Sequence, residues 1–436
     1  MNPENFDPAY LVTLDEIYHC HWVARKRGRI ARLHNAVDHF WPSGHPTRLI
    51  HISGTNGKGS VAHYLEQGLR FAGATGSWTG PHVFDYAERL HINAQRVEHA
   101  EIVEIYRGEL TPYLQSLPDD QPLGFPEIGI LLCLHLFVRH GVRWGMMESG
   151  VGGRYTPLMA LPAEAAVVTN VGNDHPISLG SELWQRALEK AGCARPEKPF
   201  FTAATGAALD YVVKAAEAEG ADVHAVNDVD LTATTGSLAA LDTPARVSVE
   251  RVPAHVAANL TLALKLIRYF YPERSRQSLL TAMPTRLPAR FWTPEPGVVV
   301  DVAHNRDKIE HFVERLALEY PTHRFLFLVG LTRKRDPVEL FAPLFQLADE
   351  ILVTSASYPG QDPDAIAALL RQSFNPVTVH PDPRQAYRTA RDQRQEGQIL
   401  VLTGSAYMID QALNPNRYLR HLNASFGWRG RIGERV

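Results

Sequence analysis

The sequence contains few cysteines and no excess of charge of either sign. Its 436 residues include three cysteines, Cys20, Cys133 and Cys193, whose spacing matches no metal-binding motif. So few cysteines, and an odd number of them, argue against the disulfide framework of a secreted protein and favour reduced, buried thiols. Lys and Arg together number 44 and Asp and Glu 47, which gives no electrostatic footprint for nucleic acid or an anionic membrane. We therefore expect neither as a partner.

Long apolar runs are also missing, and we expect no secretory signal peptide. The longest apolar stretch, residues 128–138, is too short to cross a bilayer, which takes about 20 residues, and it contains His135. The first ten residues are polar and acidic, which is atypical of a secretory signal. By elimination we expect a cytoplasmic protein, and we expect it to act as a monomer.

Strand-like and helix-like segments alternate along the first part of the chain. Apolar runs of strand length occur at 48–53, 142–148, 165–171 and 199–202. Segments with helical spacing are residues 14–34, 61–71, 126–140, 182–191 and 255–271. This alternation predicts an α/β fold with a parallel sheet covered by helices on both faces.

A proline-rich stretch marks the predicted domain boundary. It contains Pro284, Pro288, Pro294 and Pro296, and prolines this dense disfavour both helix and sheet. Strand-like runs then follow at 298–303, 324–329, 350–354, 377–380 and 399–403, separated by helical segments at 308–320, 338–347, 365–374 and 384–393. We predict a larger domain at 1–287, a linker at 288–296 and a smaller Rossmann-like α/β domain at 297–436. The smaller one lacks the G-x-G-x-x-G fingerprint of dinucleotide binding.

A glycine-rich segment between a predicted strand and a predicted helix has the composition of a phosphate-binding loop. It reads Gly54-Thr55-Asn56-Gly57-Lys58-Gly59-Ser60. Small residues let backbone N–H groups wrap phosphates, and the helix N-terminus adds partial positive charge. In such a loop Lys58 reaches the β- and γ-phosphates, and the Ser60 hydroxyl binds Mg²⁺. The larger domain is therefore predicted to be P-loop NTPase-like and to bind ATP and magnesium. The alternative is a plain strand-to-helix turn that is rich in glycine.

Seven segments in a fixed order carry a resemblance to one family. The loop has an extra Gly59 relative to the general G-x-x-x-x-G-K-[ST] pattern. The other segments are GPHVFDYAER at 80–89, ESGVGGR at 148–154, Asp174-His175 with EKAG at 189–192, His255 with Asn259, DVAHN at 301–305 and TGS at 403–405. Together they resemble the Mur ligase superfamily, and within it the folylpolyglutamate and dihydrofolate synthetases.

This resemblance implies a set of nucleotide and metal ligands. Ser60, Glu148 and His175 would hold Mg²⁺, and Lys190 matches a position that is carbamylated in the family, where the carbamate helps to bind a second Mg²⁺. Besides the loop, the implied ATP contacts are Asn259 at the adenine, Arg290 at the phosphates and Asp301 at the ribose, with His304 nearby. Lys58, His175 and Lys190 are the implied catalytic residues.

Each of these positions also has an ordinary structural interpretation. Glu148 would then be a surface acid at a strand end, and His175 a loop histidine. Lys190 would be a solvated helix lysine paired with nearby acids, and Arg290 a linker arginine.

The implied substrates are a small-molecule acceptor with a carboxylate, foremost a folate, and an amino acid, foremost glutamate. Residues implied in substrate binding are Pro81, His82, Asp85, Arg89, Arg154 and Ser405. The γ-phosphoryl group of ATP would pass to the acceptor carboxylate, and an amine would then attack the acyl phosphate. No covalent nucleophile is required, in keeping with the lack of a G-x-S-x-G or Cys–His signature.

Three other functions stay open on the sequence. One is a ligase of the same chemistry for a different acceptor or amino acid. It is suggested by Tyr155-Thr156-Pro157-Leu158-Met159, where the family usually has Leu-Asp-Ala-Thr-Asn, and by departures after Gly330 and after Thr354. The second is a P-loop NTPase that acts as a regulator, and the DVAHN segment argues against it. The third is an inactive binding module, which would predict damage to the loop or metal residues.

Overall fold

The computed structural model describes residues 7–23, 28–241, 252–283, 291–333, 335–357 and 359–426. They divide into two compact units. The N-terminal unit comprises residues 7–82 and 86–283, and the C-terminal unit comprises residues 83–85 and 291–426. Arg290 and the first part of the predicted linker lie outside the described residues.

An eight-stranded sheet forms the centre of the N-terminal unit. Its strands are β1 (Arg48–Ser53), β2 (Thr75–Trp78), β3 (Leu90–Ile92), β4 (Gln95–Arg96), β5 (Trp144–Glu148), β6 (Ala165–Val168), β7 (Pro199–Thr202) and β8 (Asp222–Ala225). They lie in the order β4-β3-β2-β5-β1-β6-β7-β8. Six of them are parallel, whereas β3 and β4 are antiparallel additions at one edge. The predicted α/β class is thus confirmed.

Helices cover this sheet. They are α1 (Pro8–Val23), α2 (Arg29–Phe40), α3 (Lys58–Gly68), α4 (His99–Ile105), α5 (Thr111–Ser116), α6 (Phe125–Arg139), α7 (Pro176–Leu179), α8 (Leu183–Ala191), α9 (Gly206–Ala218), α10 (Asp228–Ala239), α11 (Ala254–Phe270) and α12 (Arg276–Ala282). The prediction of one helix over 14–34 was wrong, because two helices occupy that region. Gly28, which precedes α2, has a φ of 78°, a left-handed conformation that ends helical geometry.

The C-terminal unit is a five-stranded, all-parallel sheet with helices. Its strands are β9 (Val298–Val300), β10 (Arg324–Val329), β11 (Ala348–Val353), β12 (Val377–Val379) and β13 (Gln398–Thr403), in the order β12-β11-β10-β13-β9. Its helices are α13 (Arg306–Glu319), α14 (Pro337–Phe341), α15 (Pro363–Leu370), α16 (Pro383–Gln393), α17 (Ala406–Leu413) and α18 (Arg417–Phe426).

Alternate residues of β10 enter two different apolar clusters of the C-terminal unit. Phe325, Phe327 and Val329 pack in one, and Leu326 and Leu328 pack in the other. A strand with both faces buried is what a parallel sheet between helix layers requires. No helix among the described residues is long and apolar enough to cross a membrane.

Two glycines on neighbouring strands make room for an aromatic ring in the N-terminal unit. Gly76 of β2 pairs in register with Gly145 of β5, and the ring of Phe137 from α6 lies on both. A Cβ added at Gly76 would come 2.3 Å from this ring, and one at Gly145 would come 2.5 Å from it. This packing explains why the short strand β2, with the sequence TGSW, is fully buried. The strand could not be predicted, because it contains no apolar run.

Replacing Gly145 with alanine is therefore expected to overpack the core. We predict that Gly145→Ala lowers the free energy of unfolding by about 1–3 kcal/mol, measured by urea denaturation. Gly236→Ala is the matched control, since no heavy atom of the described chain lies within 4 Å of the added methyl group in α10. It should leave stability unchanged or raise it by up to about 1 kcal/mol. Equal stability of the Gly145→Ala variant and the wild type would contradict this packing.

Candidate functional site

The glycine-rich loop connects the carboxyl end of β1 to α3, which begins at Lys58. Gly54 and Gly57 have φ angles of 139° and 83°, which side chains disfavour. A Cβ at Gly57 would come 2.6 Å from the amide oxygen of Asn259. Asn259 lies on α11 and is buried. Glycine is thus required both for the bend and for the close approach of Asn259, so two predicted site residues are brought together.

The end of β6 holds the loop in shape. The N–H of Thr55 donates to the carbonyl of Asn170 at 3.0 Å, and the N–H of Asn56 donates to the Asn170 side chain at 2.8 Å. The Thr169 hydroxyl donates to the carbonyl of Asn56 at 2.5 Å. Sequence reasoning missed Thr169 and Asn170, although they lie at the end of a predicted strand. Since these N–H groups are engaged, the first N–H groups of α3 are the ones available to a phosphate.

Lys58 and Glu148 form an ion pair beside the loop. The Lys58 Nζ lies 3.8 Å from the Glu148 carboxylate and also donates to the carbonyls of Gly54 and Thr55. Glu148 is only 6% exposed, and its carboxylate accepts the N–H of Gly80 at 3.0 Å. This placement excludes the interpretation of Glu148 as a surface acid.

Lys190 is buried next to Lys58. It is 3% exposed, and its Nζ donates to the carbonyl of Gly54 at 2.9 Å. Burial, and then the positive charge of Lys58, lower the pKa of Lys190 to about 7, although Asp174 and Glu189 act in the opposite direction. The interpretation of Lys190 as a solvated helix lysine is therefore wrong. The lowered pKa favours the uncharged amine of Lys190 over the ammonium form.

Tight packing on α8 accounts for the last two glycines of the ESGVGGR segment, Gly152 and Gly153. A Cβ at Gly152 would come 2.5 Å from the Glu189 carboxylate, and one at Gly153 would come 2.3 Å from the carbonyl of Lys190. Burial raises the pKa of Glu189. The two segments that looked separate in the sequence are therefore one packed element.

His175 lies in an unusual backbone conformation. Its φ of 54° and ψ of 46° are left-handed, which is uncommon for a residue other than glycine. Its N–H donates to the Asp174 carboxylate at 3.0 Å, and its Nε2 lies 3.8 Å from the other oxygen of that group. Asp174 is buried, and the His175 side chain is 41% exposed.

The residues present fit a magnesium ion that is shared with a nucleotide. Among the described residues, no three His, Cys, Asp or Glu side chains form a metal-binding group. However, Mg²⁺ beside phosphates needs only one or two carboxylates, since substrate oxygens and water complete its shell. A Cβ at Gly59 would lie 3.3 Å from Glu148 Oε2, so this carboxylate faces the loop next to Ser60. Glu148 and Ser60 thus offer the oxygen donors that Mg²⁺ prefers.

An aromatic cluster surrounds His82 and Arg89. The Arg89 Nε donates to His82 Nδ1 at 2.8 Å, which assigns the imidazole proton to Nε2, and Nε2 lies 3.2 Å from the Tyr18 hydroxyl. The Arg89 guanidinium lies over the rings of Phe125 and Trp78, at 5.1 and 5.5 Å from their centroids. Flat rings with one cation can bind a planar aromatic ligand. Sequence reasoning missed the partners Tyr18, Trp78 and Phe125.

Three predicted substrate residues lie in other settings. Pro81 is exposed, next to His82. Asp85 is buried and groups with the C-terminal unit. Arg154 forms an ion pair with Glu219 at 2.8 Å, and both side chains are about one third exposed.

The C-terminal unit has its own cluster of predicted residues, after the neighbouring strands β9 and β13. The Asp301 carboxylate accepts the N–H groups of Phe291 and Ala303 at 2.8 and 2.9 Å. His304 Nε2 lies 3.1 Å from the Lys308 Nζ. Ser405 caps α17 by accepting the N–H of Met408. The carboxyl ends of parallel strands are where α/β sheets bind ligands.

Part of the chain matches a family model. Residues 291–406 match the model described as Mur ligase, glutamate ligase domain. This range covers most of the C-terminal unit.

Curated relatives match along most of the chain. The dihydrofolate synthase/folylpolyglutamate synthase of Bacillus subtilis is 24% identical over 397 residues, which cover 84% of this chain and 90% of that protein. A probable bifunctional folylpolyglutamate synthase/dihydropteroate synthase of Haloferax volcanii is 27% identical over 381 residues. The match covers 83% of this chain but only 45% of that longer protein.

Solved structures share the fold. The folylpolyglutamate synthase of Mycobacterium tuberculosis, solved in complex with ADP, superposes with a TM-score of 0.79 at 22% identity and covers 91% of this chain and 96% of that one. The C-terminal unit thus matches the glutamate ligase domain of Mur ligases, and most of the chain is similar to dihydrofolate synthases and folylpolyglutamate synthases in sequence and in fold.

Proposed function

We propose that the protein is an ATP-dependent ligase that joins glutamate to a folate-type acceptor, with release of ADP and phosphate. The observation that carries this proposal is the convergence of Lys58, Lys190 and Glu148 on one glycine-rich bend at a helix N-terminus. Phosphoryl transfer is catalysed mainly by positioning and by charge stabilisation. A glycine-rich bend with a lysine side chain and the N-terminus of α3 supplies both.

In this proposal the acceptor carboxylate attacks the γ-phosphoryl group of ATP. Lys58 and the N–H groups of residues 57–60 stabilise the charge that develops on the transferred group. Glu148, Ser60 and the exposed ring of His175 would hold Mg²⁺, which neutralises phosphate charge when bound. The amine of glutamate then attacks the acyl phosphate, and phosphate leaves.

Other residues would bind the substrates. His82 and Arg89, with their aromatic neighbours, would hold the acceptor, since stacking and a cation suit a planar heterocycle with a carboxylate tail. Asn259 would contact the adenine, and Asp301 and His304 the ribose side of the nucleotide. Ser405 would contact the amino acid. Roles for Pro81, Asp85, Arg154 and Arg290 stay predictions, as do a cytoplasmic location and a monomeric state.

We propose that each predicted domain binds different substrates. Residues 1–287 would bind ATP and the acceptor, and residues 297–436 would bind the amino acid. The compact units described here support it. A different acceptor is the less favoured alternative, since relatives that match over most of the chain are named as folate ligases. Its support is Tyr155, which is 69% exposed in the segment that departs from the family pattern.

The proposed reaction predicts the substrates on which ADP release depends. The protein is mixed with ATP, Mg²⁺ and either dihydropteroate or tetrahydrofolate, and each amino acid is added in turn. We expect ADP release that requires both the folate and glutamate, with a product heavier by one glutamyl residue. Turnover with other acids only, or ADP release that needs neither substrate, would contradict the proposal.

Removal of the loop lysine is expected to abolish turnover without unfolding the protein. Lys58→Ala should lower kcat by at least about 10²-fold, since it removes a cation from the transferred phosphoryl group. Lys265→Ala is the control, because Lys265 of α11 forms an ion pair with Asp230 of α10 in the same unit. Circular dichroism and urea unfolding check that both variants fold. Near-wild-type turnover by Lys58→Ala would place the chemistry elsewhere.

We also propose that Lys190 is carbamylated, because an amine attacks CO₂ only when it is uncharged and the pKa of Lys190 is lowered to about 7. A ¹³C NMR carbamate signal is expected in ¹³C-bicarbonate for the wild type and not for Lys190→Gln. Its intensity should rise as the pH passes upward through 7.

Stability in CO₂-free buffer gives an independent check on Lys190. Between pH 7 and 10 the unfolded chain keeps the proton on this lysine and the folded chain does not, so the free energy of unfolding should rise with pH. This rise in the free energy of unfolding with pH should be missing in Lys190→Gln. The same pH slope in both proteins would show that the buried lysine is not uncharged.

A further inference from the structure

Residues 83–85 belong to the C-terminal unit, although the chain on either side of them belongs to the N-terminal unit. Val83 is buried in the apolar cluster formed by β9, β10, β13 and α17. Phe84 meets the ring of Trp292 edge to face, with centroids 5.8 Å apart. Asp85 is 4% exposed. Residues 83–85, far from this unit in sequence, thus pack against its core.

A buried polar network holds the main chain of this segment. The Asn414 and Asn423 side-chain amides both donate to the carbonyl of Phe84, at 3.0 and 3.1 Å. Both also donate to Asp410 Oδ1, at 2.6 and 3.1 Å. All three side chains are at most 9% exposed. A satisfied network in a dry interior resists displacement, because any lost bond leaves a buried polar atom unpaired.

The segment is covalently joined to the aromatic cluster. His82 directly precedes Val83, and Tyr86, which is fully buried beside Tyr18 and Phe125, directly follows Asp85. Adjacent Cα atoms are about 3.8 Å apart across a trans peptide. The Phe84 carbonyl is thus close along the backbone to His82, whose ring accepts the hydrogen bond of Arg89.

We propose that Asp410, Asn414 and Asn423 are positioning residues for the acceptor, because they anchor the Phe84 carbonyl and thereby fix the His82 end of the acceptor-binding segment. The proposal rests on the proposed function in one respect, the role of His82 and Arg89 in binding the acceptor. It gives helices α17 and α18 a role in acceptor binding that acts through the backbone of residues 83–85. Their effect is on acceptor affinity, with no effect on ATP.

The chain offers a matched pair of substitutions. In Asn423→Asp both hydrogen bonds of the amide are lost, and a carboxylate faces the Phe84 carbonyl and Asp410. In Asn416→Asp the oxygen that caps α18 is kept. The Asn416 amide nitrogen has no hydrogen-bond partner within the described part of the chain, so this control loses nothing. Asn423→Ala replaces Asn423→Asp if the latter fails to fold.

Hydrogen exchange by mass spectrometry tests the anchor without reference to activity. In Asn423→Asp or Asn423→Ala we expect faster exchange in the peptide that spans residues 79–90, whereas Asn416→Asp and the wild type exchange alike. Unchanged exchange in that peptide would overturn the proposal. If the wild type proves inactive with folates, the proposed function fails, and this measurement alone decides whether the anchor exists.

Kinetics test the positioning role. The KM for the folate acceptor should rise by about three- to tenfold in the Asn423 variant, the effect of losing the hydrogen bond to the Phe84 carbonyl, with the KM for ATP unchanged. In a His82→Ala background the same substitution should have a smaller effect, because the two residues act on one segment. Faster exchange with an unchanged acceptor KM, or an equal rise in both KM values, would overturn the positioning role.

Discussion

The carbonyl oxygen of Gly54 accepts hydrogen bonds from two lysines, Lys58 and Lys190, and the rest of the site depends on this shared acceptor. Burial, and then the positive charge of Lys58, lower the pKa of Lys190 to about 7, which favours its uncharged form. The Lys58 Nζ lies 3.8 Å from the Glu148 carboxylate, so this ion pair stands directly beside the bend. The bend is therefore prepared to receive negative charge before any ligand arrives.

Close packing explains why the motifs occur together. Gly57 leaves space for Asn259, and Gly153 leaves space for the carbonyl of Lys190. A side chain at either glycine would displace a group that the proposed chemistry uses. The family pattern therefore records contacts between elements as well as individual ligands. The same reasoning extends to the C-terminal unit. A Cβ added at Gly404, the residue before Ser405, would come 2.4 Å from the carbonyl oxygen of Gly330.

The sequence predicted those features whose signal is local or periodic. Strands β1, β7 and β10 were placed at their observed bounds, and the loop, Glu148 and Lys190 were recognised from motifs. Features that depend on distant partners were missed. The burial of strand β2 depends on Phe137 of α6. Thr169 and Asn170 hold the loop but belong to no motif. Residues 83–85 pack with a unit that begins more than two hundred residues further along the chain. No window of sequence contains those contacts.

The central claim is that the bend at residues 54–60 directs the γ-phosphoryl group of ATP onto a carboxyl oxygen of the acceptor. The most direct measurement uses an acceptor whose reacting carboxylate carries ¹⁸O, with mass analysis of the phosphate released during a turnover with glutamate. The account predicts one ¹⁸O atom in each phosphate, because the acyl phosphate bridge oxygen leaves with the phosphoryl group. Phosphate free of label, formed at the same rate as the amide product, would contradict it.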